Sequence, residues 1–533
     1  MHQVQFDVRG KPSANTLILV DGFEAFRRFV RGWNRMRYDR GGYYWIVYQR
    51  HRQVDRAEVE QIVEAAWELR LLYAIVIVAD SRGDNVEIFN LWPYSQTHCG
   101  DVESVLVDWR STDMLADRLG DFYGCALRVD TFDNPPFVLL DWDKMGRTSM
   151  LGFEGMLVNI LAKKLNFSVE VITPPDNDQW GFPRTDGNST GLMKLMVDET
   201  VHFGICSIGY MEDRIAVLLP GFQHYTSYIV FAVPSGRPYS SFEKLFLPFE
   251  WKTWYALFGT LLASLAVIMI INTSSAPVKE HIYGGGISYP LTNLINLLFG
   301  GPLHKHPKGS FPLALLMLWL TFTLVIRTAY QGSLYKYLQV PKNFSAPLTM
   351  DAIDKSGLEY YMYEIAAAFF ADYPNVLART HYLPFDISLS DAIDQVGRDV
   401  LSGVVLCTVD HVAYHNKYSP AEEFVWATKE YVLGVSMAVY YPTRTYLRDT
   451  FDRHIQIIDS TGLLQHWAGQ SADYDFTSDR RGVAVNRALS VADLLGSFQI
   501  LGVLNGGAVV MFALEMVGLK CRLILRLVDW LQG

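Results

Sequence analysis

The polar chemistry of this chain is concentrated where an apolar helix ends. Residues 324–341, LVIRTAYQGSLYKYLQVP, follow a charge-free run at 309–326 with Arg327, Tyr330, Gln331, Gly332 and Ser333. On a single helix facing lipid such groups are costly unless paired, whereas around a shared axis they can face water and one another. Gly332 and Ser333 are small enough for helices to approach closely, and Arg327 can snorkel to the interface. No Ser/His/Asp, Cys/His or metal-binding cluster occurs at usable spacing, so no enzyme, metal or cofactor is expected. His51 and His98 are isolated. The five cysteines, Cys99, Cys125, Cys206, Cys407 and Cys521, are too few and too scattered for a disulfide scaffold or a zinc site. Cys99 and Cys125 pair if the N-terminal part is extracellular, or remain two free buried thiols.

The elements that must position these groups are membrane helices. A chain of 533 residues with a hydrophobic fraction of 50% is too long for one ordinary domain and too apolar for a purely soluble protein. Its net charge of −10, without a concentrated basic block, argues against nucleic acid as the main partner. Residues 253–272 and 309–326 are free of charge, and 494–514 contains a small-residue cluster suited to close helix packing; each is long enough to span a bilayer. Between the first two, residues 287–307 are shorter, polar in the middle and broken by Gly300, Gly301 and Pro302. They fit a re-entrant loop, the alternative being an interfacial helix.

Three crossings put the termini on opposite sides. Lys520, Arg522 and Arg526 after the last span, and Lys279, Lys305 and Lys308 between the first two, assign those regions to the cytoplasm. The sequons at Asn166, Asn188 and Asn343 then fall outside, and the one at Asn272, at the inner end of a span, stays unmodified. The first twenty residues do not read as a signal peptide, so either the first span directs translocation or the sequence starts after the true N-terminus.

From 127 to 234, β-rich runs alternate with helical patterns, and the alternation resumes after the second span, so two α/β lobe segments are separated by membrane elements. The expected boundaries are a short N-terminal extracellular α/β region at 1–122 and lobe segments at 123–247 and 339–492. A pore domain occupies 248–338, with spans 253–272 and 309–334 and a re-entrant loop at 287–303. A last helix at 493–519 and a cytoplasmic tail at 520–533 complete the chain.

This order resembles that of ionotropic glutamate receptors, and its details resemble the insect ionotropic chemoreceptor branch, over about residues 127–519. LGFEGMLVNILAKKLNFSVEV is similar to the first-lobe signature. GLMKLMVDETVHFGICSIGYMEDRIAVLLPGF looks like the segment leading through the ligand-binding turn, and PFEWKTWYALF like the lead-in to the first span. AYQGSLYKYL is similar to the gating helix, with Tyr330, Gln331, Gly332, Ser333 and Leu334 at the positions of Tyr-Thr-Ala-Asn-Leu, and this resemblance offers Arg327 a gating role as the alternative to snorkelling.

The resemblance implies a bilobed extracellular clamshell that closes on a small-molecule ligand and opens a cation pore of four subunits. It also implies assembly with other subunits of the family, residence in the plasma membrane of sensory neurons, and a pore loop narrowest near Phe299, Gly300 and Gly301. No acidic ring is apparent in that loop, so selectivity would come from carbonyls and helix ends. His304 and His306 at its mouth read as solvated surface.

The binding residues depart from the family pattern. Glu212 stands at the position of the carboxylate-binding arginine and Ser207 at that of its threonine, with Arg214 a substitute only in a shifted register. Ile365 and Ala366 replace the Ser-Thr contacts, and the amine-binding acid maps to Thr408 or Asp410. Trp180 stands where a tyrosine covers the ligand, and either stacks on a ligand or packs in its own core. Such erosion resembles the divergent, taste-associated members. The leading expectation is a chemosensory ligand-gated cation channel subunit, and the alternative is a non-conducting membrane-anchored binding or assembly subunit. Three spans are too few for a transporter.

Overall fold

The computed structural model describes residues 13–33, 38–49, 56–79, 86–108, 110, 117–142, 148–175, 178–236, 239–287, 289–303, 305–339, 344–420, 423–474 and 489–518. The chain divides into two compact units, residues 1–234 with 346–476, and residues 235–345 with 477–533. The first opens with β1 (Ser13–Val20), α1 (Phe23–Arg31), β2 (Tyr38–Gln49), α2 (Arg56–Glu68), β3 (Tyr73–Ala79), β4 (Val86–Tyr94) and β5 (Cys99–Val107). These strands form one sheet in chain order, the first three parallel and the last two antiparallel. Alternation turns Ile18, Val20, Tyr44, Ile46 and Tyr48 into a core shared with Phe26, Val59 and Ile62 of the two helices.

Cys99 at the start of β5 is disulfide-bonded to Cys125, with Cα atoms 5.5 Å apart. Trp67 Nε1 donates to Gly100 O at 2.8 Å, and both Trp67 and Tyr94 pack against Tyr446. The N-terminal sheet is thereby fastened to the rest of its unit.

Beyond Cys125 come β6 (Ala126–Asp130), the hairpin β7 (Leu139–Trp142) and β8 (Thr148–Leu151), α3 (Gly152–Leu165), β9 (Ser168–Ile172), α4 (Gly191–Val197), β10 (Phe203–Gly204), α5 (Glu212–Val217) and β11 (Leu219–Pro234). Helix α3 buries Phe153, Leu157, Val158, Leu161 and Leu165, an i, i+4 stripe. It stops at Asn166, whose left-handed backbone (φ 55°) caps the last turn.

The second unit holds α6 (Ser241–Lys244), α7 (Trp251–Asn272), α8 (Ala276–Tyr283), α9 (Pro290–Leu298) and α10 (Ser310–Gln339). The chain then returns to the first unit with α11 (Met350–Ser356), β12 (Glu359–Met362), a 3-10 segment (Glu364–Phe370), α12 (Pro374–Leu377), β13 (Thr380–Tyr382), α13 (Leu389–Gly397), β14 (Gly403–Thr408), α14 (Val409–Tyr418), β15 (Val425–Ala427), β16 (Leu433–Tyr441), α15 (Arg448–Ser460) and α16 (Leu463–Ser471). Helix α17 (Val491–Gly518) completes the second unit.

The large sheet runs β13-β12-β14-β11-β16-β10-β6-β9, with β15 beside β11. Its two ends are parallel, and the long antiparallel pair β11 and β16 joins them. Along β11, Ile229, Phe231 and Val233 enter one core while Val230 and Ala232 enter another, the pattern of a strand covered on both faces.

Among the described residues, Trp251–Asn272, Ser310–Leu338 and Val491–Leu514 are long and apolar enough to cross a membrane. The second extends past the expected end at 334, because the polar residues after Ile326 continue the helix without a break. Residues 287–303 contain α9, whose nine residues are well short of the ~20 that a crossing requires. Residues Glu364–Phe370 form a 3-10 segment, and α15 is separated from α16 at Gly462, where φ is 73°.

Replacing Cys125 by Ser should lower the stability of the purified chain by about 2–4 kcal/mol, seen as a reduced thermal midpoint. An unchanged midpoint would show that the other contacts suffice to hold the N-terminal sheet in place.

Candidate functional site

At the β6 end of the large sheet the first turn of α3 places Glu154 in the interior. Its carboxylate accepts the Ser207 backbone N–H at 2.6 Å and lies 2.9 Å from His224 Nε2. Both side chains of the Glu154–His224 pair are fully buried. Ser207 reaches Glu154 in a left-handed conformation (φ 50°), which leaves β10 only two residues long.

Asp410, in the first turn of α14, is buried as well. Tyr225 OH donates to its Oδ1 at 2.7 Å, Tyr474 OH donates to the same oxygen at 2.5 Å, and Ser227 Oγ donates to Oδ2. The carboxylate thus ties α14 to β11. Beside it, Thr408 caps the helix with its Oγ1 2.6 Å from His411 Nδ1, while His411 Nε2 is 2.9 Å from Asn134 Oδ1. An amide oxygen can only accept, so Nε2 carries the proton, and Nδ1, to which the Thr408 backbone N–H donates at 3.4 Å, is an acceptor, which makes the ring neutral. Burial pushes the His411 pKa down to about 3.

The contact between Asn134 and His411 joins the two ends of the sheet, and a second set of contacts does the same. Gln179 Nε2 donates to Tyr363 OH at 3.0 Å and to Phe385 O at 3.2 Å. Trp180 meets Tyr363 edge-on at 6.0 Å between centroids and Phe132 at 4.9 Å, and its Nε1 donates to Cys206 O at 2.8 Å.

Of the residues selected from sequence, Trp180 and Ile365 pack against the same core, Ala366 is buried in the neighbouring one, and Thr408 and Asp410 lie at the crossing itself. Ser207 contributes its backbone to Glu154. Glu212 is exposed at the start of α5, and Arg214 is turned inward, where Nη1 donates to Gly209 O at 3.0 Å. Burial lowers the Arg214 pKa to about 10. Glu154 stood in a quoted signature without a role. Asn134, Gln179, Tyr225, Tyr363, His411 and Tyr474 carried no local signal, because their partners are distant in sequence.

In the second unit, Tyr330 OH donates to Leu245 O at 3.1 Å and its ring packs on Phe249 and Trp254. Gln331 and Gly332 are exposed and Ser333 is half-buried. Phe299 is exposed, Gly300 takes a φ of 79°, and Gly301 N donates to Asn296 O at 2.7 Å. Arg327 is half-buried, and a side chain at Gly300 would overlap its guanidinium. Asn166 and Asn188 are exposed, and Cys206 and Cys407 are free and buried. His98 packs against Ser95. Asn343, His51, His304 and Cys521 lie outside the described residues.

Neutral burial of His411 has a pH consequence. The unfolded chain takes up a proton below about pH 6.5 and the folded chain does not, so stability falls as pH drops from 6.5 toward 3. Between pH 7 and 5 this loss is about 2 kcal/mol. His411→Asn should flatten the thermal midpoint over that range, and an unchanged slope would contradict the assignment.

Among known families, the ionotropic receptor, ligand binding domain family matches residues 2–117, which include the five-stranded sheet. Ionotropic receptor 21a of Drosophila melanogaster is 22% identical over 245 residues, 44% of this chain and 28% of the relative. Ionotropic receptor 21a of Anopheles gambiae is 21% identical over 248 residues, 44% of this chain and 24% of the relative. The aligned part thus spans about a quarter of the length of these curated relatives. Over these stretches the chain is similar to insect ionotropic receptors.

Proposed function

We propose that this chain is a chemosensory receptor subunit of the ligand-gated cation channel type, in the taste-associated part of the family. The observation that carries this reading is chain order. Strand β11 leads into helix α7, short helix α9 and helix α10, and the chain then returns to pair β12, β14, β15 and β16 with the same sheet before helix α17. Two parallel sheet ends joined by one antiparallel pair support two lobes, with the contacts of Asn134, Gln179, His411 and Tyr363 lining the cleft between them. In this reading the clamshell closes on a small molecule and strains the connections to α7 and α10. Residues Tyr330 to Ser333 form the gate, and Phe299 to Gly301 the narrowest part of a four-subunit pore shared with other family members.

A ligand drives opening only to the extent that it prefers the closed lobes. The Cys99–Cys125 bond and the exposed sequons at Asn166 and Asn188 support an exterior N-terminal side, with the C-terminus cytoplasmic. The plasma membrane of sensory neurons is then the place of action, and no enzymatic role is proposed. A second reading, a non-conducting binding or assembly subunit, draws support from Trp180 and Gln179, whose polar groups are already engaged by the protein's own atoms.

Whole-cell current in cells expressing this chain with partner subunits, during application of acids, amines, salts and sugars, tests the proposal. The expected result is a stimulated current that Gly301→Asp alters in selectivity or amplitude at equal surface protein. A current indifferent to that substitution would favour the assembly reading.

A further inference from the structure

Helix α9 lies along α10 in the same direction, held at two levels. Trp319 Nε1 on α10 reaches Leu294 O of α9 at 3.4 Å, and eight residues further along α10 the Arg327 guanidinium rests against Gly300, just past the end of α9. Gly300 has a positive φ of 79° and Phe299, Gly300 and Gly301 direct their N–H groups back to Ile295, Leu297 and Asn296. Those bonds use the carbonyls of Ile295, Leu297 and Asn296, whereas among the described residues none is made to the carbonyls of Leu298, Phe299, Gly300 or Gly301, and a helix C-terminus carries partial negative charge.

Glu280 on α8 is the one acidic residue between 251 and 339, and its carboxylate lies against Gly285. Snorkelling would carry the guanidinium away from the middle of α10 toward its ends. Instead it stays at the loop, where an intramembrane charge is tolerated facing protein or water.

We infer that Arg327 is a specificity-determining residue of the pore, its guanidinium placed against Gly300 so that a fixed positive charge offsets the loop carbonyls and disfavours divalent over monovalent cations. The inference rests on the channel reading above. A fixed charge repels a divalent ion twice as strongly as a monovalent one at the same place, so the discrimination follows from Coulomb's law alone. Each subunit of this kind adds one such charge, and partners lacking it dilute the effect.

The test is the calcium-to-sodium permeability ratio, from reversal potentials under bi-ionic conditions, in cells giving a stimulated current. Arg327→Gln should raise the ratio by ~3-fold or more, the scale expected for removing one nearby charge, while Arg327→Lys leaves it within experimental scatter. If the Gln variant does not reach the surface, Arg327→Met should give the same rise. An unmoved ratio with either neutral variant, or equal shifts for Lys and Gln, would overturn the inference. Loss of surface protein for both neutral variants but not for Lys would assign the residue to folding and overturn it too. A current that Gly301→Asp does not alter would remove the pore reading and this inference together. A pore altered at Gly301 but indifferent to the neutral Arg327 variants would overturn this inference alone.

Discussion

The carboxylate of Asp410 sits out of water at the point where α14 meets β11, with the hydroxyls of Tyr225, Ser227 and Tyr474 turned onto it. A buried charged or polar group is tolerable only when its hydrogen bonds are made, so these donors are required by the burial itself. Tyr225 and Ser227 lie on the strand through which the two sheet ends are joined, and Tyr474 lies just past α16. Fixing Asp410 also fixes Thr408 and His411 one turn of helix around it, and His411 is the residue that meets Asn134. Any movement of one sheet end against the other would rearrange this neighbourhood, while the Glu154–His224 contact lies on the facing side.

The membrane unit follows the same rule with fewer groups. Along the polar stretch of α10, Thr328 Oγ1 turns back to Leu324 O and Tyr330 OH reaches Leu245 O, while Arg327 occupies the end of α9. Gln331 and Gly332 are left facing outward, and a side chain at Gly332 would meet nothing within 4 Å. In the proposed channel, this small residue at the exposed level of α10 is where copies or relatives would meet around an axis.

Much of this was legible in the sequence where a property is local. Three charge-free runs gave the three long helices, the apolar stripe from Phe153 to Leu165 gave α3, and Gly300 with Gly301 marked the end of a helix too short to cross. What stayed hidden depends on distant partners. The run VHFGICSI reads as a full strand, yet only Phe203 and Gly204 form one: Ser207, whose N–H donates to Glu154 far upstream, takes a left-handed conformation before Ile208 and Gly209 rejoin the sheet at β16. Arg214 reads as a ligand-binding candidate by residue type, and no periodicity shows that it points to Gly209 O. The pairings of Asn134 with His411 and of Gln179 with Tyr363 join residues more than 180 positions apart, and neither composition nor spacing encodes them.

The most direct test of a gate built from α10 is cysteine accessibility at Ser333. In the Ser333→Cys variant, co-expressed with partner subunits, a thiol reagent applied from outside should change the current, and faster during stimulation than at rest. Cysteine labelling that leaves the current unchanged in both states would contradict the assignment of this helix to the gate.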